Sequence, residues 1–167
     1  SQDNTYGLNF YLPLHGTGNW VRSQYYFRSN MSSSMVLNWD INSNTCSVSE
    51  MQQYVQDYKR FRPYYYGDYY PLTGTKDFSK NKVWLAYQLN RPEIKDGIIL
   101  IFRREDCIEN STTIKLHGLD EKATYELFYE DYKISAQKTG RELMDGFEVF
   151  ISQRPASLLI RYKITEG

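Results

Sequence analysis

Two short clusters join an aromatic ring to hydrogen-bonding side chains at the end of an apolar run. His15, Thr17, Asn19 and Trp20 follow the alternation Leu8, Phe10, Leu12, Leu14, and Trp39-Asp40 closes the run that begins at Met35. An indole face stacks on the C–H surface of a sugar ring, while His15 and Asn19 would bond its hydroxyls. A carboxylate such as Asp40, at the C-terminal end of a strand, sits where βα-barrels carry their acids, bases and hydroxyl acceptors. Plainer readings stand beside these. Trp20 could equally be packing in a glycine-rich turn, and a local turn bond is the slightly favoured role for Asp40. Gly16-x-Gly18 is too short for a phosphate-binding loop, and no Ser-His-Asp order, Walker loop, zinc signature or paired-carboxylate motif is present.

A second concentration of chemistry lies between Tyr54 and Tyr70, which hold seven of the sixteen tyrosines. Such rings with polar tips either join two domains or line a wet groove. Asp68, buried among them, would need their hydroxyls as donors. A structural joint made of Arg62, Tyr66, Asp68 and Tyr69 is the favoured reading, with Arg91 as a further bridging residue. Arg103-Arg104-Glu105-Asp106 reads as a solvated turn, and Glu93 and Glu142 have no partner that spacing identifies.

Composition narrows the rest. Formal net charge is zero without a basic block, which argues against nucleic-acid and membrane-surface partners. No apolar stretch reaches the roughly 18 residues of a membrane span. The first residues lack the pattern of a secretion signal, which leaves the compartment open, whether cytoplasmic, periplasmic or secreted. Cys46 and Cys107 are far apart, so a disulfide between them is a minority reading and a metal site a smaller one still. Asn30-Met31-Ser32 and Asn110-Ser111-Thr112 match the glycosylation pattern, for which coincidence is the better account.

The elements that would position these residues change period midway. Gly7 to Leu14 reads as a strand, Gly16 to Trp20 as a loop, Arg22 to Met31 as a short helix broken by Ser32-Ser33-Ser34, and Met35 to Trp39 as a strand. Ser47-x-x-Glu50 is a capping box that opens a helix with Val48, Met51, Tyr54 or Val55, Tyr58 and Phe61 on one face. Pro63 should stop it at Arg62. This is the grammar of consecutive βα units. Beyond it, alternation over 83–89, 112–116, 125–129, 147–151 and 158–164, and the continuous run Ile98 to Phe102, predict short strands. Turns are expected at Asp96-Gly97, His117-Gly118, Asp145-Gly146 and Arg154-Pro155, giving an antiparallel sandwich. The fold class is therefore α+β, with domains over 1–75 and 76–167.

Four stretches carry a resemblance to a known family: Leu12-Pro13-Leu14-His15-Gly16-Thr17-Gly18, the block from Arg62 to Thr73, Trp84 to Glu93, and Gly97 to Arg104. Together they resemble the C-terminal end of glycoside hydrolase family 36, the melibiase-like α-galactosidases. The resemblance implies that 1–75 is the end of a (β/α)₈ barrel, about two βα units, and that 76–167 is the antiparallel β-domain behind it. It implies a parent enzyme that hydrolyses terminal α-galactosides with retention, through two carboxylates and without metal or organic cofactor. The family's Lys-Trp-Asp segment, which carries the nucleophile, has no counterpart here, and a barrel takes about 250 residues. The expectation is an inactive C-terminal fragment, for which His15, Asn19, Trp20, Trp39 and Asp40 would supply at most the rim of a carbohydrate site. The alternative is a non-catalytic carbohydrate-binding module. Unpaired barrel strands would also favour a homo-oligomer.

Overall fold

A computed structural model describes residues 6, 16–19, 23–37, 47–74 and 82–166. The chain divides into two compact units, Ser1–Tyr66 and Gly67–Gly167.

In the first unit, strand β1 (Gly16–Asn19) pairs in parallel with β2 (Ser34–Leu37), and helix α1 (Gln24–Ser29) lies between them in sequence. The loop expected over Gly16 to Asn19 is thus a strand. The strand expected over Gly7 to Leu14 lies outside the described residues. Ser23 caps α1 by accepting from the Tyr26 amide at 3.3 Å, and Asn30 closes it by donating from Nδ2 to the Tyr26 carbonyl at 2.9 Å. That bond holds Asn30, 5% exposed, inward, so the first glycosylation match is not presented to solvent.

Helix α2 (Val48–Phe61) opens with Ser47 Oγ accepting from the Glu50 amide at 3.3 Å, which is half of the expected capping box; the Ser47 hydroxyl also lies 2.9 Å from that of Ser49. Its apolar stripe starts one turn late, since Val48 is 61% exposed. Phe27 stacks on Tyr54 at 5.0 Å and meets Tyr58 edge-on. The Tyr58 hydroxyl donates to the Ser32 carbonyl and Arg62 Nε to the Ser33 carbonyl, each at 2.8 Å. These bonds bind α2 to the segment entering β2. Arg62 keeps right-handed helical angles (φ −51°, ψ −41°) despite Pro63. The α-helix ends at Phe61, as expected, and the chain tightens into a 3₁₀ helix, Arg62–Tyr66. A proline near the start of a helical turn has no missing donor to mourn there, because the first amides have no intrahelical acceptor.

The second unit carries a six-stranded sheet in the order β3-β4-β5-β10-β7-β8, all neighbours antiparallel. Its strands are β3 (Asp68–Pro71), β4 (Trp84–Arg91), β5 (Asp96–Arg103), β7 (Thr124–Tyr129), β8 (Ile134–Thr139) and β10 (Ala156–Glu166). A two-stranded ladder joins β6 (Ser111–Ile114) to β9 (Phe147–Phe150), and helix α3 (Gly140–Asp145) precedes β9. The architecture is mixed helix and strand with a mostly antiparallel sheet. Asp68 to Pro71, assigned above to the first domain, is an edge strand here, because β3 forms its ladder with β4. The contact boundary accordingly falls after Tyr66 rather than at 75/76.

One face of the large sheet shares a core with the small ladder and α3: Ala86, Ile99, Ile101, Leu127 and Ile160 meet Ile114, Phe147, Val149 and Leu143. The alternate residues Leu85, Leu89, Ile98, Leu100 and Leu159 are buried too, so β4 and β5 have no solvent face. That double burial explains the unbroken apolar run Ile98 to Phe102.

The Asp96-Gly97 turn expected from sequence is displaced. The hairpin turns at residues 92–95, Lys95 adopts φ 53°, and Asp96 and Gly97 belong to β5. Gly97 serves a close approach instead: a Cβ there would collide with the Tyr162 hydroxyl. Arg103 and Arg104 are likewise not in a solvated turn, being 5% and 3% exposed. The guanidinium of Arg103 donates to the carbonyls of Ile151 and Ser152 through Nη1 and of Cys107 and Ile108 through Nη2, at 2.7–3.1 Å. Cys107 is a free, buried thiol, and Cys46 lies outside the described residues.

Candidate functional site

The parallel register sets Asn19 opposite Leu37, so β1 and β2 end side by side at their C-terminal ends. Asn19 is the last residue of β1 rather than part of a loop behind it. His15, Trp20, Trp39 and Asp40 lie outside the described residues, as does the side chain of Asn19. Beside this pair, Phe27, Met35, Leu37, Val55, Tyr58, Lys59 and Arg62 line a mainly apolar cavity of about 220 Å³. Burial first, and the Glu50 carboxylate second, push the Tyr54 phenol up; burial likewise raises Tyr58. Both remain neutral donors around neutral pH.

The expected joint residues have local roles. Arg62 reaches Ser33 and, at 3.4 Å, the hydroxyl of Tyr66, whose ring is 61% exposed. Asp68 is exposed at the start of β3 rather than buried among tyrosines. Tyr69 packs on Tyr87 at 5.4 Å. Arg91 makes a bidentate pair with Asp96 across the β4–β5 hairpin.

The most ordered polar arrangement was not singled out by the sequence. Gln88 and Asn90, two apart on β4, share the face that carries Trp84 and Ala86, and both are almost fully buried. The His117 amide donates to Gln88 Oε1 at 2.8 Å, and Gln88 Nε2 donates back to the His117 carbonyl at 2.9 Å. The second hydrogen of Nε2 goes to the Tyr162 hydroxyl at 2.7 Å, and that hydroxyl donates to Asn90 Oδ1 at 2.7 Å. Burial raises the Tyr162 phenol far above its ordinary value, more than the Gln88 hydrogen bond lowers it. The signal in the sequence is two amide side chains at i and i+2 on an otherwise apolar strand, a cost that only hydrogen bonding offsets.

Among the described residues, no group of three His, Cys, Asp or Glu side chains could hold a metal, and no helix is long and apolar enough to cross a membrane.

Comparison with solved structures decides the fold. A variant of the GH36 α-galactosidase AgaA from Geobacillus stearothermophilus, bound to raffinose, superposes with a TM-score of 0.67 over 91% of this chain at 21% identity. The chain's fold matches the C-terminal region of GH36 α-galactosidases. The galactosidase domain of the α-galactosidase-sucrose kinase AgaSK gives a TM-score of 0.68 over 99% of the chain at 17% identity. The α-galactosidase of Lactobacillus brevis gives 0.66 over 91% at 16%. The chain spans only 22–25% of the length of these GH36 structures. No family model and no curated protein matches the chain.

Proposed function

We propose that this chain is the C-terminal portion of a retaining glycoside hydrolase acting on terminal α-galactosides. In this reading 16–66 ends the catalytic (β/α)₈ barrel, and the sheet of 67–167 supports it. The observation that carries it is the fold match over at least nine-tenths of the chain against about a quarter of each neighbour. The parallel pair β1–β2, two-stranded among the described residues, adds support. Parallel strands are normally covered on both faces, yet Val36 of β2 is 58% exposed. Further strands and helices of a barrel would cover it. Raffinose and 1-deoxygalactonojirimycin are bound to the AgaA neighbours, which favours an α-galactoside as the parent's substrate.

Retention needs two carboxylates about 5–5.5 Å apart, one attacking the anomeric carbon and one protonating the leaving oxygen. In the proposed parent both belong to barrel strands before 16–19. His15, Asn19, Trp20, Trp39 and Asp40 then border the sugar: a ring for its C–H face, amide and imidazole for its hydroxyls, and Asp40 as an acceptor. The chain of 167 residues alone is expected to hydrolyse an aryl α-galactoside no faster than a blank. Saturable turnover that disappears in Asp40→Asn would overturn the reading.

A further inference from the structure

We infer that the cavity beside Asn90 in the second unit is a binding site for a monosaccharide-sized polyol. Hydrogen-bond logic begins at His117. Its backbone fixes the orientation of the Gln88 amide, because Oε1 must face the His117 N–H and Nε2 the carbonyl. Gln88 Nε2 then donates to the Tyr162 oxygen, so the one proton of that hydroxyl must go to Asn90 Oδ1. The atom left over is therefore the Asn90 NH₂. It has two hydrogens and no acceptor among the described residues, on a side chain only 2% exposed. The nitrogen keeps its opening to the cavity beside it, so a ligand oxygen there can take up its hydrogens.

Nδ2 points to the chain at Gly118, where a Cβ would lie 3.1 Å from it, and the backbone there has φ 71°. Asn90 and Gly118 line a cavity of about 250 Å³ together with Pro92, Lys95, Leu119, Asp120 and Tyr125. That volume is several times the ~30 Å³ share of one water in the liquid. It also falls just short of the ~300 Å³ at which pockets for drug-sized molecules begin. The lining offers a neutral donor, an ammonium and a carboxylate beside the apolar surfaces of Pro92, Leu119 and Tyr125. Hydroxyl groups both donate and accept, so adjacent hydroxyls on one small ring answer all three polar groups at once, and its C–H edges meet the apolar wall. An anion would meet Asp120, and a cation Lys95.

The inference does not rest on the barrel reading, and its test has a separate readout. Amide resonances of the 167-residue chain are followed while D-galactose, D-glucose and myo-inositol are added in turn. Saturable shifts centred on 90–95 and 117–125 are expected for at least one of them. Asp120→Asn is on the surface, keeps the side-chain oxygen that accepts from the Lys122 amide, and should weaken binding about tenfold. Asn90→Asp retains the acceptor for Tyr162 but removes the donor, and should abolish it. Absence of saturable shifts with all three polyols would show that the cavity holds only water, and unchanged affinity in a folded Asp120→Asn chain would place the binding elsewhere; either result overturns the inference.

Discussion

Single side chains in the second unit have consequences out of proportion to their size. Gly97→Ala would drive a methyl group into the Tyr162 hydroxyl and the Leu89 carbonyl. It should lower stability by about 1–3 kcal/mol, seen as a lower denaturant midpoint with unchanged slope. Tyr162→Phe should cost about 1–3 kcal/mol, since it leaves Gln88 and Asn90 each short of a partner. Cys107 makes a kinetic case. Burial first, and the neighbouring Glu109 carboxylate second, push its thiol up, and the thiolate is the reactive form. Iodoacetamide should therefore label Cys107 far more slowly in the native chain than in denaturant, and equal rates would contradict its burial. None of these three roles was legible in sequence. Gly97 reads as half of a turn signal, and only the opposing strand β10, some sixty residues away, reveals what its missing side chain is for.

Elements were read well where the signal is local. The Ser47 cap and the periodic stripe of α2 need only residues three or four apart, and they hold except at the exposed Val48. Helix α3 was missed although its signal is of the same kind. Thr139 and Glu142 make a reciprocal capping box, with the Thr139 amide donating to the Glu142 carboxylate at 2.7 Å and the Glu142 amide to Thr139 Oγ1 at 3.2 Å. At six residues, α3 is too short to show a periodic face. Thr139→Ala should cost roughly 1 kcal/mol in thermal or denaturant unfolding. The bond to the Thr139 amide holds the Glu142 carboxyl below its usual value. Its contribution is therefore present above the unfolded pKa, near 4.3, and is lost as pH falls through the lower folded value. The stability gap between this chain and Glu142→Gln should thus shrink on acidification, and a gap that widened in acid would reverse that sign. Edge strands β3 and β8 were not foreseen because partly exposed strands carry weaker alternation than the central ones.

At the scale of the molecule, the order of a parallel βα unit and a mostly antiparallel sheet was anticipated, and the family resemblance led to the fold that the GH36 structures share. The boundary was not. The sequence places Asp68 to Pro71 in the first domain, 1–75, but their ladder with β4 puts them in the second unit. If the proposed function holds, joining the chain to the preceding part of a barrel should give α-galactoside turnover above that of 1–167 alone, measurable with the same aryl substrate. Equal rates for the two would place the chemistry in the fragment.

Local chemistry by itself determined the start of α2 and the apolar central strands, because those properties arise from neighbours in sequence. Tertiary structure alone decided which polar side chains are buried together. The side chains of Gln88, Asn90 and Tyr162 and the backbone of His117 lie on three separate stretches of chain, and the bonding of the three side chains depends on the register of β4, β5 and β10. A register is a collective property of paired strands, and a shift of one residue would turn every one of these side chains to the opposite face.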